Sequence, residues 1–274
     1  MHFIRKPLEL QRQNRFTQSF FLKKDMKFVI AKGYERYSDF IHSIPSGGYV
    51  AETVFCNNRN VVELVTVEGF PMVVKRFKKP NLINQVVYAW FRKDKAWRSH
   101  DNALILLEAG IDTPHPIAYI RHVSGGVYQS GWYIYEYFAG DRLDSALKRL
   151  DQDGQDKLMT AFFKFTIGLF AKDIINKDYN PGNVLVRPAS GGRYHFSLVD
   201  INRMSHRPAT LADEMAAFNQ LNLTAEQESR WLPLYAQLRG TELAPLRHIL
   251  NNRARRRQRR DRTKAVIHKI LRRQ

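Results

Sequence analysis

Two carboxylates and an amide within residues 176–200, NKDYNPGNVLVRPASGGRYHFSLVD, carry the most legible chemistry of this chain. Asp178 and Asn183 form a D-x-x-x-x-N loop that leads into a short apolar strand of Val184, Leu185 and Val186. After a turn over Pro188–Gly192, a second strand, Tyr194–Val199, ends on Asp200. A loop and hairpin of this kind return the second carboxylate to the end where the first strand begins. Phosphoryl transfer from Mg-ATP to a hydroxyl needs such a set: a carboxylate to orient and deprotonate the hydroxyl, and Asn plus Asp to hold the metal.

That chemistry also needs a cation on the ATP phosphates. Val73-Val74-Lys75-Arg76-Phe77 reads as a strand in which Lys75 faces away from Val74. A helix must then bring an acid to the lysine. Asp101 is the first candidate because it lies nearer the middle of the helix than Glu108, the second. No G-x-G-x-x-G separates the first two strands; Asn57-Asn58-Arg59-Asn60 stands in its place. Asn58 and Arg59 are candidate nucleotide contacts, because Asn tolerates positive φ and Arg59 adds charge. An ordinary polar hairpin turn is the alternative. The segment Trp132–Phe138 is either a buried strand or the connection between two lobes, its backbone near Glu136 meeting adenine.

The elements that must position these residues follow from pattern. At 274 residues, 44% hydrophobic and 26% charged, the chain has room for one two-lobed domain with a sizeable core. Strands are expected at Tyr49–Phe55, Val61–Val67, Met72–Phe77, Pro116–Ile120 and Gly131–Tyr137, with a helix over residues 95–109 closed by Gly110. Beyond Gly140 the chain turns helical at Arg142–Leu150, Asp156–Ala171, Ala212–Leu221 and Ala225–Arg239. Leu158, Phe162, Phe165, Ile167 and Leu169 should bury the second of these, and Pro233 should kink or split the last. The fold class is α+β: a five-stranded antiparallel sheet with one helix in an N-terminal lobe, 26–138, and a mainly helical C-terminal lobe, 139–245. Residues 1–25 read as an accessory or misassigned extension.

The net charge of +18 is unevenly placed. Residues 246–274 form a basic tail, in which Arg253–Gln274 carries eleven Lys/Arg against Asp261 alone. Its partner should be anionic, and the absence of an RNA-binding aromatic motif argues against nucleic acid. Val266, Ile267, Ile270 and Leu271 at helical spacing add a modest apolar face. The single cysteine, Cys56, excludes an intramolecular disulfide and a Cys-rich zinc site and suits a reducing cytoplasm. No apolar run is long enough to span a bilayer or serve as a signal peptide.

With these residues in view, the chain resembles the Kdo/heptose lipopolysaccharide kinases of the protein-kinase-like superfamily, over about Met26 to Gly240. The marks are VVKRFKKPNLIN (Val73–Asn84), RSHDNALILLEAGIDTPHPIAYI (Arg98–Ile120), KDYNPGNVLV (Lys177–Val186) and LVDINRM (Leu198–Met204). The resemblance implies a bilobal kinase-like fold and ATP- and Mg2+-dependent phosphorylation of a sugar hydroxyl, of Kdo or heptose, on the lipid A-linked inner core. It implies a place on the cytoplasmic face of the inner membrane. Carried over, Lys75 contacts ATP phosphates, Asp101 fills the helix acid's place, Asp178 is the catalytic base, and Asn183 and Asp200 hold magnesium. Asn202 and Arg203 shape the metal loop. Asn176 stands where such loops carry an architectural histidine; Asn also donates and accepts hydrogen bonds.

The basic tail favours an anionic lipid surface. A small-molecule phosphotransferase of the aminoglycoside or choline type would share the loop but favour an acidic pocket. A catalytically weak kinase-like binding module is the third reading.

Overall fold

The structure, a computed structural model, describes residues 18–23, 25–58 and 60–271, with side chains over 25–58, 60–260 and Thr263. Most of the expected extension, residues 1–17 and 24, lies outside the described residues, as does Arg59. The chain divides into two compact units: Met1–Ala139 with Ser197–Arg203, and Gly140–Phe196 with Met204–Gln274.

The first unit is built on β1 (Gln18–Lys23), β2 (Met26–Ala31), α1 (Ser38–Ser43), β3 (Thr53–Asn57), β4 (Asn60–Val67) and β5 (Phe70–Phe77). Then come α2 (Leu82–Trp90), α3 (Lys95–Glu108), β6 (Pro116–Ser124) and β7 (Val127–Glu136). The strands form one sheet in the order β1-β2-β6-β7-β5-β4-β3, with its pairs antiparallel. The sheet has seven strands rather than five, because β1 and β2 extend its edge beyond β6. A second helix, α2, precedes the expected one. The first expected strand begins four residues later than Tyr49, at Thr53.

Alternation along the strands sorts the two faces. Met72 and Val74 of β5 join Phe28, Ile30, Ile117, Ile120 and Ile134 in one core, closed by Tyr37, Ile41 and Ile44 around α1. The turn between β4 and β5 puts both Glu68 (φ 51°) and Gly69 (φ 78°) in the left-handed region. A two-residue hairpin whose twist matches the strands requires that conformation. Helix α3 starts where the Asp94 carboxylate accepts the N–H groups of Ala96 (2.9 Å) and Trp97 (3.1 Å). It ends at Gly110 (φ 66°), and the Ile111 N–H donates back to Leu106.

The second unit contains β8 (Asp141–Arg142), α4 (Leu143–Arg149), α5 (Gln152–Phe170), β9 (Ile174–Asn176), β10 (Val184–Ala189) and β11 (Arg193–Leu198). It closes with β12 (Met204–His206), α6 (Leu211–Asn219), α7 (Ala225–Arg239) and α8 (Leu243–Leu271). The stripe that α5 buries is Leu158, Met159, Phe162, Phe163, Thr166, Leu169 and Phe170; Phe165 and Ile167 are only partly buried. Thr224 and Gln227 cap α7 reciprocally. That helix runs unbroken through Pro233, and the expected split does not occur. Burial of Trp231, Leu232, Tyr235 and Ala236 around the proline outweighs the ~3 kcal/mol an interior proline costs. The basic segment continues α8, whose first turns bury Leu246 and Leu250. The side chains of Val266, Ile267, Ile270 and Leu271 lie outside those described.

Candidate active site

Lys75 is 6% exposed, on the face of β5 opposite Val74. A buried ammonium needs an anionic partner. Here Nζ donates to Asp200 Oδ1 at 2.7 Å, joining residues 125 positions apart. Asn202, itself buried, donates to the same oxygen at 2.5 Å. No hydrogen bond from the described residues reaches Asp200 Oδ2, which leaves that oxygen available to a cation. Asp200 itself has φ 55°. That left-handed conformation costs most side chains energy but is tolerated by Asp and Asn.

Side chains of α3 and of the strand leading to β6 hold the Asp200 segment in the first unit. Asn102 Nδ2 donates to the Ile201 carbonyl (2.6 Å) and Thr113 Oγ1 to that of Leu198 (2.7 Å). The Leu198 N–H donates to the Asp112 carbonyl (3.1 Å). These contacts give a physical reason for the G-I-D-T-P segment, whose Thr113 sequence reasoning did not single out. Lys95, at the start of α3, was also missed. Burial lowers its pKa against the pull of Asp200, and Arg98, Lys75 and Arg203 push the same way as burial. Lys75 and Lys95 thus both lie in the field of the Asp200 carboxylate.

The other first-unit candidates fare unevenly. Asp101 does not reach Lys75. Its carboxylate is held by Lys93 Nζ at 2.6 Å, because α3 turns Ser99, Asn102, Ala103 and Leu106 inward and leaves Asp101 part-exposed. Burial opposes its ionisation, but His100 and Lys93 outweigh that and hold its pKa below the ordinary value. The second candidate, Glu108, is exposed at the end of the helix. Glu136 accepts the Tyr34 hydroxyl at 2.5 Å, and its N–H is committed to the His115 carbonyl at 2.9 Å. The Tyr137 N–H is likewise committed, to Pro71 at 3.2 Å, so the expected adenine contact cannot use either donor. Asn58 is exposed in the turn between β3 and β4, and no described residue of that turn has positive φ. Arg59 lies outside the described residues. Phe55, 51% exposed, stacks on Tyr137 with ring centroids 6.1 Å apart, a pairing that no periodicity signals.

The second unit supplies the D-x-x-x-x-N loop. Tyr179, 1% exposed, anchors it through Thr166 (2.8 Å between hydroxyls) and a stacked Phe162 ring. Asn183 Nδ2 donates to the Asp178 carbonyl at 2.8 Å, which fixes the orientation of the amide. Asn180 closes the turn, its Oδ1 accepting the Gly182 N–H at 3.1 Å. A Cβ at Gly182 would meet the Arg142 guanidinium at 2.8 Å, the far end of a flexible side chain that would have to shift. Asn176, 2% exposed, accepts the Asp178 N–H at 3.0 Å, while its own Nδ2 is buried with no partner. Asn thus performs the accepting half of an architectural role and leaves a donor unsatisfied, which costs about 1–3 kcal/mol.

Mg2+ takes hard oxygen ligands; Asp200 Oδ2 in the first unit and Asn183 Oδ1 in the second are each an oxygen of that type. No cluster of three or more His, Cys, Asp or Glu side chains occurs among the described residues.

No protein-family model matches the sequence, and no curated protein matches it. Solved structures do. WaaP in complex with acyl carrier protein superposes with a TM-score of 0.57 at 16% identity, over 84% of this chain and 98% of that one. The bifunctional kinase-methyltransferase WbdD gives a TM-score of 0.43 at 18% identity, over 72% of this chain and 43% of that one. At such identity the WaaP likeness speaks to architecture. The chain has a protein-kinase-like α+β fold.

Proposed function

We propose that this protein is an ATP-dependent kinase that phosphorylates a hydroxyl of Kdo on the lipid A-linked lipopolysaccharide inner core. The observation that carries the reading is the buried Lys75–Asp200 ion pair, a lysine on a central strand held by the aspartate that ends LVD. In this reading Asp178 accepts the proton of the sugar hydroxyl as its oxygen bonds to the γ-phosphorus. The bond from that phosphorus to the β,γ-bridging oxygen breaks, and ADP leaves. Lys75, with Lys95 and Arg203, attracts the polyphosphate and offsets the charge of the transferring group. Asp200 and Asn183 would hold Mg2+, which screens phosphate charge when bound. The basic helix α8 favours an anionic membrane surface on the cytoplasmic side, at roughly 1 kcal/mol per basic residue near the lipid. No helix among the described residues is long and apolar enough to cross a membrane.

Purified protein incubated with Mg-ATP and Kdo-lipid A should add one phosphate to the lipid, read by mass spectrometry, and Asp178→Ala should abolish the gain. Transfer only to soluble amines or alcohols would replace the acceptor. Magnesium-dependent nucleotide binding without transfer to any acceptor would reduce the protein to a binding module.

A further inference from the structure

Helix α2 carries its apolar face outward. Leu82, Ile83, Val86 and Trp90 fall within an arc of roughly 100° at 3.6 residues per turn. They are 76%, 75%, 43% and 71% exposed, and Phe91, which follows, is 81% exposed. The helix is not loose. On its other side Gln85 and Tyr88 are buried, and Gln85 Nε2 donates to the Pro80 carbonyl at 2.9 Å. Arg121 donates to the carbonyls of Tyr88 and Ala89. Trp90 Nε1 is tethered to the Gly126 carbonyl at 2.8 Å, so the indole is pinned while most of its surface faces out.

Folding ordinarily buries such a face, and a contiguous exposed one marks a contact. The charge around it selects the contact. From Gly69 to Lys93 there is no Asp or Glu, while Arg76, Lys78, Lys79, Arg92 and Lys93 are exposed on either side of the helix. Lys93 pairs with Asp101 and Lys79 with Gln129, while Arg76, Lys78 and Arg92 form no ion pair among the described residues. A short amphipathic helix with Trp on its apolar side, an exposed Phe directly after it and a cationic border has the composition of an interfacial anchor.

We infer that α2 is a membrane-docking element, its apolar face inserted among the headgroups of an anionic bilayer and its flanking cations on lipid phosphates. The inference rests on the lipid-borne acceptor of the preceding reading for its purpose, but not for its test. It moves the principal anchor from the basic helix α8 to the first unit, which carries Lys75 and Asp200.

The full chain would be mixed with vesicles of phosphatidylethanolamine and phosphatidylglycerol, or of phosphatidylcholine alone, and sedimented without nucleotide. Anionic vesicles should retain it, and Ile83→Ser with Phe91→Ser should weaken retention by at least about tenfold with an unchanged melting curve. Brominated lipid should quench tryptophan emission in the parent, and Trp90→Phe should remove that quenching. A chain lacking residues 253–274 should still be quenched. If Trp90 is not quenched, or the double variant sediments like the parent, the face is covered by residues 1–17, a second copy or a protein partner, and the inference is wrong. The double variant should still phosphorylate detergent-solubilised Kdo-lipid A. A parent chain that transfers phosphate but does not bind anionic vesicles would refute the docking alone; a parent chain that binds vesicles without any transfer would refute the kinase reading alone.

Discussion

Asp200 combines a left-handed backbone, a buried lysine partner and one oxygen free of hydrogen bonds from the described residues. Asn tolerates the same backbone and is nearly the same shape, so Asp200→Asn separates charge from conformation. Transfer should fall by about 10²–10³ or more, and stability should fall by about 3–5 kcal/mol as the buried Lys75 loses its anionic partner, with the fold retained. Loss of the fold instead would make Asp200 structural. Asp101 gives the converse case. Because it holds Lys93 rather than Lys75, Asp101→Asn should leave KM for ATP within about twofold of the parent and cost at most about 1 kcal/mol of stability. A large rise in KM would return Asp101 to the lysine's side.

Among the elements, the segment Ser197–Arg203 depends on donors that lie far away in sequence. Thr113→Val keeps shape and removes the donor to Leu198, at a cost of about 1–1.5 kcal/mol. Nucleotide affinity should fall with it, since this segment presents Asp200; calorimetry with Mg-ATP reads both effects. The N-terminus of α6 makes a pH prediction. Asp213 is held well below the usual carboxylate range by Arg207, with Thr210 helping and partial burial opposing. A depressed folded-state pKa contributes stability that is present above the unfolded value of about 3.9 and is lost as pH falls through the folded one. Denaturant midpoints of Asp213→Asn should therefore lie below the parent's at pH 7 and converge with it at strongly acidic pH.

The same uneven legibility runs through both units. The Thr224 cap and the bounds of α7 follow from neighbouring residues, as does the hairpin at Glu68-Gly69, because capping and turn chemistry act within a few positions. Phe28–Ala31 reads as strand-like in sequence but was not placed in the sheet, and β1 was not recognised, since membership of a sheet is decided by distant pairing partners. The burial of α5 shifted to Phe163 and Thr166 because the neighbours chosen by the tertiary fold decide which arc of a hydrophobic helix is covered.

For the whole molecule, the charge of +18 is partly concentrated in α8 and partly around α2. Removal of residues 253–274 should weaken binding to anionic vesicles at low salt and make the remainder less salt-dependent, since the eleven cations removed act through screened electrostatics. Unchanged retention at every salt concentration would take α8 out of the account.

The order of Lys75, Asp178, Asn183 and Asp200 along the chain, the strand, loop and turn that carry them, and the basic end are properties of the sequence by itself. They depend on residue type and short spacing. The partner of Lys75 is not such a property. The helix pattern offered Asp101, and Glu108 after it, as the acid for that lysine, and the acid that pairs with it is Asp200. The pairing was settled by which face α3 turns inward, and by Asn102 and Thr113 fastening a distant segment beside β5. A contact spanning 125 positions is decided by packing, because no local preference reaches that far.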